Sequence, residues 1–294
     1  MEEIRGAGGV FCSDIARTLI FSGYDPSDSD LIALPNDRAV HKETVRLMEL
    51  IRNDGIPIVL ITGMRVSGYA AIRNFLPHDR GITEHGGVIW TPDGIDETWN
   101  AYLSAGIESV REYQKFLNAL FRGTKVVQSA DRRTMVRLQA DSGLSLSIEE
   151  IVQRLSRNSP EKTELQEQPI NVNGNTYLVK IPEKIMVFPH RPDPPELSID
   201  IIPEMSGKLN ALNYMLNEIG ISWKKVAGFG DDDNDIRFIS NSAFRMTYTT
   251  ASPGVVTAVD SGEAKYAYKT PLTSHRGAID VLEKFLMYVS PLMK

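Results

Sequence analysis

Short apolar runs that stop abruptly at polar residues recur at both ends of the chain. Their length and composition predict buried strands at residues 9–13, 57–61 and 226–229. Hydrophobic positions spaced for one helical face predict helices from Lys42 to Asn53 and from Lys208 to Ile219. Strands that alternate with helices indicate an α/β fold with a parallel sheet, in which ligands bind beyond the carboxyl ends of the strands.

The middle of the chain has a different pattern. From about Asp93 to Pro195, short segments of both periods predict an α+β insert, with helices at residues 100–121 and 147–158 and strands at residues 125–128, 134–139, 177–181 and 184–188. Turn-forming sequences flank this insert, Thr91-Pro92-Asp93-Gly94 before it and Pro192-Asp193-Pro194-Pro195 after it. We therefore expect a core formed by residues 1–92 and 196–294, with residues 93–195 as a separate domain.

Composition and charge exclude several classes of protein. The net charge is −6 and the basic residues are scattered, so neither a nucleic acid nor a membrane surface is an expected partner. Cys12 is the only cysteine, which excludes an internal disulfide framework and is typical of a reducing compartment. The sequence shows neither a long apolar run nor a secretion signal, so we expect a cytoplasmic protein. Oligomeric state is not indicated.

Polar side chains stand directly after the predicted strands. Asp14 could attack phosphorus and hold a metal ion, although an aspartate in a strand-to-helix turn also caps backbone N–H groups. Thr62 and Gly63 offer a hydroxyl and a permissive backbone to phosphoryl oxygens, or form an ordinary turn. Lys208 would supply positive charge, or be solvated as most lysines are.

The acidic cluster after the third strand is the strongest single signal. It comprises Asp231, Asp232, Asp233 and Asp235, and these carboxylates repel one another unless a cation compensates them. Oxygen ligands alone favour magnesium over zinc. The alternative is a solvated acidic loop.

The order of these features resembles the four signature motifs of the haloacid dehalogenase superfamily. The matching segments are Asp14 to Leu19, Leu60 to Gly63, Lys208 to Leu212 and Gly230 to Asp235. Thr83 to Ile89 is similar to the segment that leads into the cap in the Cof-like and sucrose-phosphate-phosphatase-like branch, with His85 where asparagine is usual. The resemblance implies a Rossmann-like parallel-sheet core with an inserted α+β cap.

The position of the insert distinguishes between branches of the superfamily. The interval between Asp14 and Thr62 is too short for a cap, whereas the interval between Thr62 and Lys208 is long enough for the insert. The insert is therefore a type-two cap. This position argues against the phosphonoacetaldehyde hydrolase branch, which carries its cap in the earlier interval.

The resemblance also implies a function and roles for particular residues. The expected activity is a magnesium-dependent phosphatase of a small polar metabolite such as a sugar phosphate, with an aspartyl-phosphate formed on Asp14. The implied substrate-binding residues are Thr62, Gly63, Arg65, Lys208, Asn234 and, in the cap, Arg133 and His190. Arg132, Arg137 and Arg191 are further cap candidates. The implied metal ligands are Asp14, the carbonyl group of Ala16, Asp231 and Asp235.

Position 16 departs from the family pattern. Members with phosphatase activity carry the aspartate that acts as general acid/base where this chain has Ala16, and usually glycine where it has Arg17. We interpret Ala16 either as an inactivating substitution made to trap substrate, which the intact motifs favour, or as the mark of a natural non-hydrolysing member. In the second case the chain is a pseudoenzyme that binds a phosphorylated ligand. We expect Arg17 to be a solvent-facing helix residue.

Overall fold

The structure is a computed structural model that describes residues 8–128, 130, 132–140, 143, 146–161, 164–190 and 198–294. The chain divides into two units, one formed by Met1–Ile95 with Lys208–Lys294 and the other by Asp96–Gly207. The second unit overlaps the predicted insert, but its second boundary lies at Gly207 rather than Pro195. Arg191 and the predicted linker at residues 192–195 lie outside the described residues. The role of the second unit as a cap stays a prediction.

The strands are β1 (Val10–Asp14), β2 (Phe21–Ser22), β3 (Leu31–Leu34), β4 (Arg38–His41), β5 (Ile58–Ile61), β6 (Arg80–Thr83), β7 (Val88–Thr91), β8 (Gly94–Ile95), β9 (Val127–Gln128), β10 (Val136–Gln139), β11 (Leu165–Val172), β12 (Asn175–Pro182), β13 (Ile185–His190), β14 (Ser198–Pro203), β15 (Val226–Phe229), β16 (Phe244–Tyr248) and β17 (Tyr266–Thr270). The helices are α1 (Lys42–Asn53), α2 (Val66–Ile72), α3 (Glu97–Tyr102), α4 (Ser104–Leu120), α5 (Ile148–Arg157), α6 (Lys208–Ile219), α7 (Ile236–Asn241), α8 (Pro253–Asp260), α9 (Ser274–Lys284) and α10 (Ser290–Met293).

A sheet with the strand order β17-β16-β15-β1-β5-β6-β7-β8 organises the first unit. Its strands from β17 to β6 are parallel, and β7 and β8 add an antiparallel edge. Strands β1, β5 and β15 are entirely buried, which explains why they read as continuous apolar runs. The predicted α/β class with a parallel-sheet core is confirmed.

Helix packing in this unit follows the predicted periodicity. Helices α1 and α6 have the bounds that the sequence predicts. Helix α1 buries the apolar residues Leu47, Met48 and Ile51, whose spacing places them on one face. These side chains join strand residues such as Phe11 and Ile58 in the hydrophobic core of the unit.

A small antiparallel sheet of the order β2-β4-β3 lies between β1 and α1 in the chain. Each of its strands is between two and four residues long, and most of the side chains are at least partly exposed. Such short, half-exposed strands carry little hydrophobic pattern, so the sequence did not predict this sheet.

The second unit is α+β. Its main sheet has the order β13-β14-β10-β9, and β11 pairs with β12 in a hairpin. Asn173 and Gly174 form the turn of that hairpin with φ of 50° and 81°, as an Asn-Gly two-residue turn requires. Helix α5 starts with a capping box in which Ser147 and Glu150 each bond the other's backbone. The predicted single helix at residues 100–121 is wrong in detail, since Leu103 separates α3 from α4.

Within the described ranges, no helix combines the length and the apolar character that a membrane crossing needs.

Candidate active site

The register of three strands brings the motif residues to one edge of the sheet. Asp14 is the last residue of β1 and lies beside Ile61, the residue before Thr62. On the other side of β1, Ser13 lies beside Phe229, so the acidic segment begins two residues beyond the pair, at Asp231. Because the three strands are parallel, their polar ends meet at the edge where α/β sheets bind ligands.

Lys208 joins two of the acidic residues. Its Nζ donates to Asp14 Oδ1 and to Asp235 Oδ1, each at 2.6 Å. All three side chains are at least nine-tenths buried. Such an ammonium group between two carboxylates gives a compact ion cluster, and removal of Lys208 would leave two buried carboxylates without their common cation.

Thr18 links Asp14 to Asp231. Its hydroxyl group lies 3.3 Å from Asp14 Oδ2 and 3.0 Å from Asp231 Oδ1. Tyr248, at the end of β16, donates its hydroxyl hydrogen to the carbonyl oxygen of Thr18 at 2.6 Å. Neither Thr18 nor Tyr248 has a role predicted from the sequence. The signal for Tyr248 is its place at the carboxyl end of a buried strand.

Asp235 organises the acidic segment. Its Oδ2 accepts from the backbone N–H groups of Asp231 and Asp232, each at 3.2 Å, while its Oδ1 faces Lys208. A β-carbon added at Gly230 would lie 2.7 Å from the carboxyl group of Asp235, so a larger residue at this position would displace Asp235. Two backbone N–H groups and the Lys208 ammonium group thus hold the Asp235 carboxylate in place.

Burial and mutual repulsion shift the pKa values of this cluster. Burial, together with the charges of Asp235 and Asp231, raises the pKa of Asp14 well above its usual value, against the opposing effect of Lys208. Burial and the Asp235 charge raise the pKa of Asp231 to about 7, and Arg17 opposes this shift. Burial lowers the pKa of Lys208, but the charges of Asp14 and Asp235 outweigh it and the net pKa is raised. A cation would relieve the repulsion.

The donor set fits a hard divalent cation. Asp14, Asp231 and Asp235 present carboxylate oxygens within 4.8 Å of one another. The buried Oδ1 of Asn234 accepts no hydrogen bond from the described residues. Oxygen ligands of this kind suit magnesium.

The second motif is shaped by the segment Glu84–Gly86. Thr62 is buried and its hydroxyl oxygen accepts from the backbone N–H of Met64 at 3.2 Å. The His85 ring lies against Gly63, in the space that a β-carbon at position 63 would need. Glu84, His85 and Gly86 all have positive φ, and the N–H of His85 donates to the carbonyl oxygen of Thr62 at 3.2 Å. Arg65 is exposed and directly precedes α2.

Positions 16 and 17 lie in the turn after β1. Ala16 is partly exposed and forms an isolated bridge with Ile20. The expectation that Arg17 is a solvent-facing helix residue is wrong. Its Nη2 lies 3.1 Å from Asp231 Oδ2 and 3.4 Å from Asp232 Oδ2, and its φ is 60°.

The predicted cap residues belong to the second unit. Arg133 is exposed, and its Nη1 lies 3.9 Å from a Glu97 carboxylate oxygen. His190 is the last residue of β13. Arg137 forms a two-pronged ion pair with the buried Asp200 on the neighbouring strand, at 2.7 Å and 2.9 Å.

Comparison with known proteins agrees with this architecture. The family model of the haloacid dehalogenase-like hydrolases matches residues 30–262. A solved structure of the sucrose-phosphatase from Synechocystis, in complex with sucrose and phosphate, is similar with a TM-score of 0.59 and 16% identity, over 95% of this chain and 98% of that one. A haloacid dehalogenase-like hydrolase from Bacillus subtilis has a TM-score of 0.52 and 16% identity, over 95% of this chain and 93% of that one.

A third similar structure comes from Bacteroides thetaiotaomicron and is described among the phosphatases of the haloalkanoate enzyme superfamily. It has a TM-score of 0.55 and 15% identity, over 96% of this chain and 97% of that one. A search of the curated proteins finds no match. The order of the parallel strands defines a Rossmann-like α/β core, with aspartates at its strand ends. The chain belongs to the haloacid dehalogenase-like hydrolase family, and the resemblance seen in the sequence is confirmed.

Proposed function

We propose that this chain has the active site of a magnesium-dependent phosphomonoesterase that acts on a small polar phosphate ester, with Asp14 as the nucleophile. The observation that carries the proposal is the buried Lys208, whose Nζ lies 2.6 Å from both Asp14 and Asp235. In a surface turn or a solvated acidic loop, water would stabilise the carboxylates, and a buried lysine between them would not be required.

The two carboxylate oxygens of Asp14 have different neighbours and therefore different proposed roles. Oδ1 faces Lys208, and Oδ2 faces the hydroxyl group of Thr18. In the proposed first step, a carboxylate oxygen of Asp14 attacks phosphorus and the bond to the ester oxygen breaks, which gives an aspartyl-phosphate and an alkoxide. Lys208 and the Thr62 hydroxyl group would hold the phosphoryl oxygens, together with backbone N–H groups near Gly63 and the amide of Asn234.

The proposed magnesium ligands are Asp14, the carbonyl group of Ala16 and Asp231. Asp235 would hold the backbone of Asp231 and the ammonium group of Lys208 rather than the metal itself. Magnesium, when bound, would neutralise charge on the carboxylates and on the phosphoryl group.

Ala16 limits what this chain can catalyse. The departing alkoxide needs a proton, and the aspartyl-phosphate must then react with an activated water to release phosphate and restore the Asp14 carboxylate. A positioned carboxyl group at position 16 would serve both steps, and such a group is worth about 10²–10⁴-fold in rate. A methyl group serves neither, so the chain should bind its ester with little turnover.

We propose that side chains of the second unit determine which ester is bound. Arg133 and His190 there, and Arg65 next to the second motif, are proposed contacts to the alcohol part of the ester. A sugar phosphate suits such polar side chains, and the fold likeness to a phosphatase solved with sucrose is consistent with it. The single cysteine agrees with a cytoplasmic location.

The same alanine favours a second candidate function. A natural chain without the acid/base could use the intact phosphoryl site to bind a phosphorylated ligand without hydrolysing it. The intact Asp14, Lys208 and Asp231 beside Ala16 favour an inactivating substitution, and a natural pseudoenzyme is the alternative.

One experiment separates the two functions. Phosphate release is measured over a panel of phosphate esters with magnesium, for the chain as it stands and for Ala16→Asp and Ala16→Asn. An inactivated enzyme predicts turnover in Ala16→Asp alone, because asparagine matches the size of aspartate and cannot exchange a proton at neutral pH. Absence of release in every variant, with retained binding of inorganic phosphate, would favour the binding protein.

A further inference from the structure

Two basic side chains contact the acidic cluster, and they contact different members of it. Lys208 is paired with Asp14 and Asp235, as described above. Arg17 is paired with Asp231 and Asp232 instead. The proposed metal ligand Asp231 therefore already has a cationic partner that belongs to the protein.

The backbone holds Arg17 in place for this contact. Its φ of 60° is in the left-handed region, which glycine adopts at no steric cost and which L-residues with a β-carbon adopt rarely. The N–H group of Arg17 donates to the carbonyl oxygen of Ile20 at 2.8 Å, and Ala16 bridges to Ile20 as well. Position 17 thus carries an arginine although its backbone conformation alone favours glycine.

Both carboxylate oxygens of Asp231 have protein donors. Oδ2 lies 3.1 Å from Arg17 Nη2, and Oδ1 accepts from the hydroxyl group of Thr18 at 3.0 Å. A divalent cation between Asp14 and Asp231 needs one of these oxygens. The divalent cation would also repel a guanidinium group held at the same carboxylate, because like charges a few ångströms apart repel each other strongly.

We infer that Arg17 is a built-in competitor of magnesium for Asp231, and that it sets the magnesium concentration at which the site fills. This inference rests on the proposed magnesium site. Loading then requires the guanidinium group to leave Asp231. The Arg17 side chain is one-third exposed, so it has access to solvent once it is released.

The test is a magnesium titration by calorimetry on the full chain, with Arg17→Ala, Arg17→Lys and Arg46→Ala. Removal of a partly exposed ion pair should tighten magnesium binding in Arg17→Ala by about two- to tenfold. Arg17→Lys keeps the charge and should stay near the parent. Arg46 forms an exposed ion pair with Glu43 on α1, so Arg46→Ala removes one positive charge elsewhere and serves as the matched control.

Ionic strength gives a second readout. The gain in Arg17→Ala should shrink as salt is raised from about 10 mM to about 500 mM, because screening weakens the competing ion pair. Arg17→Gly suits the left-handed φ, so it provides a folded variant if Arg17→Ala unfolds. Thermal unfolding in a chelator confirms that each variant is folded.

The outcomes are distinct. Unchanged or weaker magnesium binding in both Arg17→Ala and Arg17→Gly would overturn the competition, even if the Ala16→Asp variant hydrolyses esters. Tighter binding in these variants supports the competition, whatever Ala16→Asp does. Absence of magnesium binding in every chain would overturn the inference and the proposed metal site together.

Discussion

The His85 ring occupies the space beside Gly63 that a side chain at position 63 would need. Gly63→Ala should therefore force the ring or the Glu84–Gly86 segment to move, at a cost of about 1–3 kcal/mol of folding free energy. Chemical denaturation measures this cost. Gly68→Ala is the matched control, since its β-carbon would lie 3.5 Å from Arg65, an ordinary contact in helix α2.

A double-mutant cycle identifies the partner. If overlap with His85 causes the loss, Gly63→Ala combined with His85→Ala should be more stable than the sum of the single changes predicts. Strict additivity would show that the strain arises elsewhere.

Lys208 should be essential for stability when magnesium is absent. Lys208→Met keeps the length of the side chain but leaves Asp14 and Asp235 without their common cation, so we expect a loss of about 3–5 kcal/mol. Thermal and urea unfolding in a chelator measure it. Lys269→Met removes an exposed pair with Asp260 and should change stability by at most about 1 kcal/mol. Equal effects of the two substitutions would contradict the buried ion cluster.

Magnesium binding should weaken as the pH is lowered through about 7. The raised pKa of Asp231 means that the metal-free protein holds a proton there below that value, and this proton must leave before the oxygen can bind magnesium. The stability of the metal-free protein has the opposite pH dependence. Its free energy of unfolding should fall as the pH rises from 3.8 to about 7, because the folded protein holds the Asp231 proton more tightly than the unfolded chain does.

Unfolding temperatures at pH 5.5 and pH 8, with magnesium and with a chelator, test both signs. The stabilisation by magnesium should be larger at pH 8, and Asp231→Asn should remove most of this difference. A magnesium effect that is the same at both pH values, or that persists in Asp231→Asn, would exclude Asp231 as a ligand.

An activated ester should expose the role of position 16. An aryl phosphate has a good leaving group and needs little protonation, so Asp14 could still attack it, whereas hydrolysis of the aspartyl-phosphate would stay slow. Rapid mixing should therefore give a burst of at most about one equivalent of phenol, followed by a slow phase. Asp14→Asn should abolish the burst. Steady turnover at the rate of Ala16→Asp would assign the acid/base role to another group.

The fold and the positions of the strand-end residues could be predicted because few local features decide them. Fully buried parallel strands such as β1 and β15 read as apolar runs, and the residue after each run must lie at the ligand-binding edge. The sequence therefore indicated Asp14, Thr62 and Asp231 as neighbours before any contact was known.

Other features depend on contacts that a linear pattern does not carry. Arg17 has a positive φ and contacts Asp231, whereas the sequence pattern predicted a solvent-facing helix residue. Residues 198–203 fall in the predicted core, but they form β14, which pairs with β10. A pairing between strands so distant in sequence leaves no local pattern that could be read. The hairpin of β11 and β12 did carry a readable signal, the turn at Asn173-Gly174, but the polar residues of β11 hid its strand character.

The three-way contact of Lys208 with Asp14 and Asp235 bears on how this sequence can change over generations. A substitution at Lys208 leaves two buried carboxylates without a cation, so neutral drift at this position is blocked unless Asp14 or Asp235 changes as well. In a library of random variants, tolerated substitutions of Lys208 should occur together with a change at Asp14 or Asp235 and rarely alone. Position 16 makes no such contact in the cluster, and an alanine can persist there without disturbing the rest of the site.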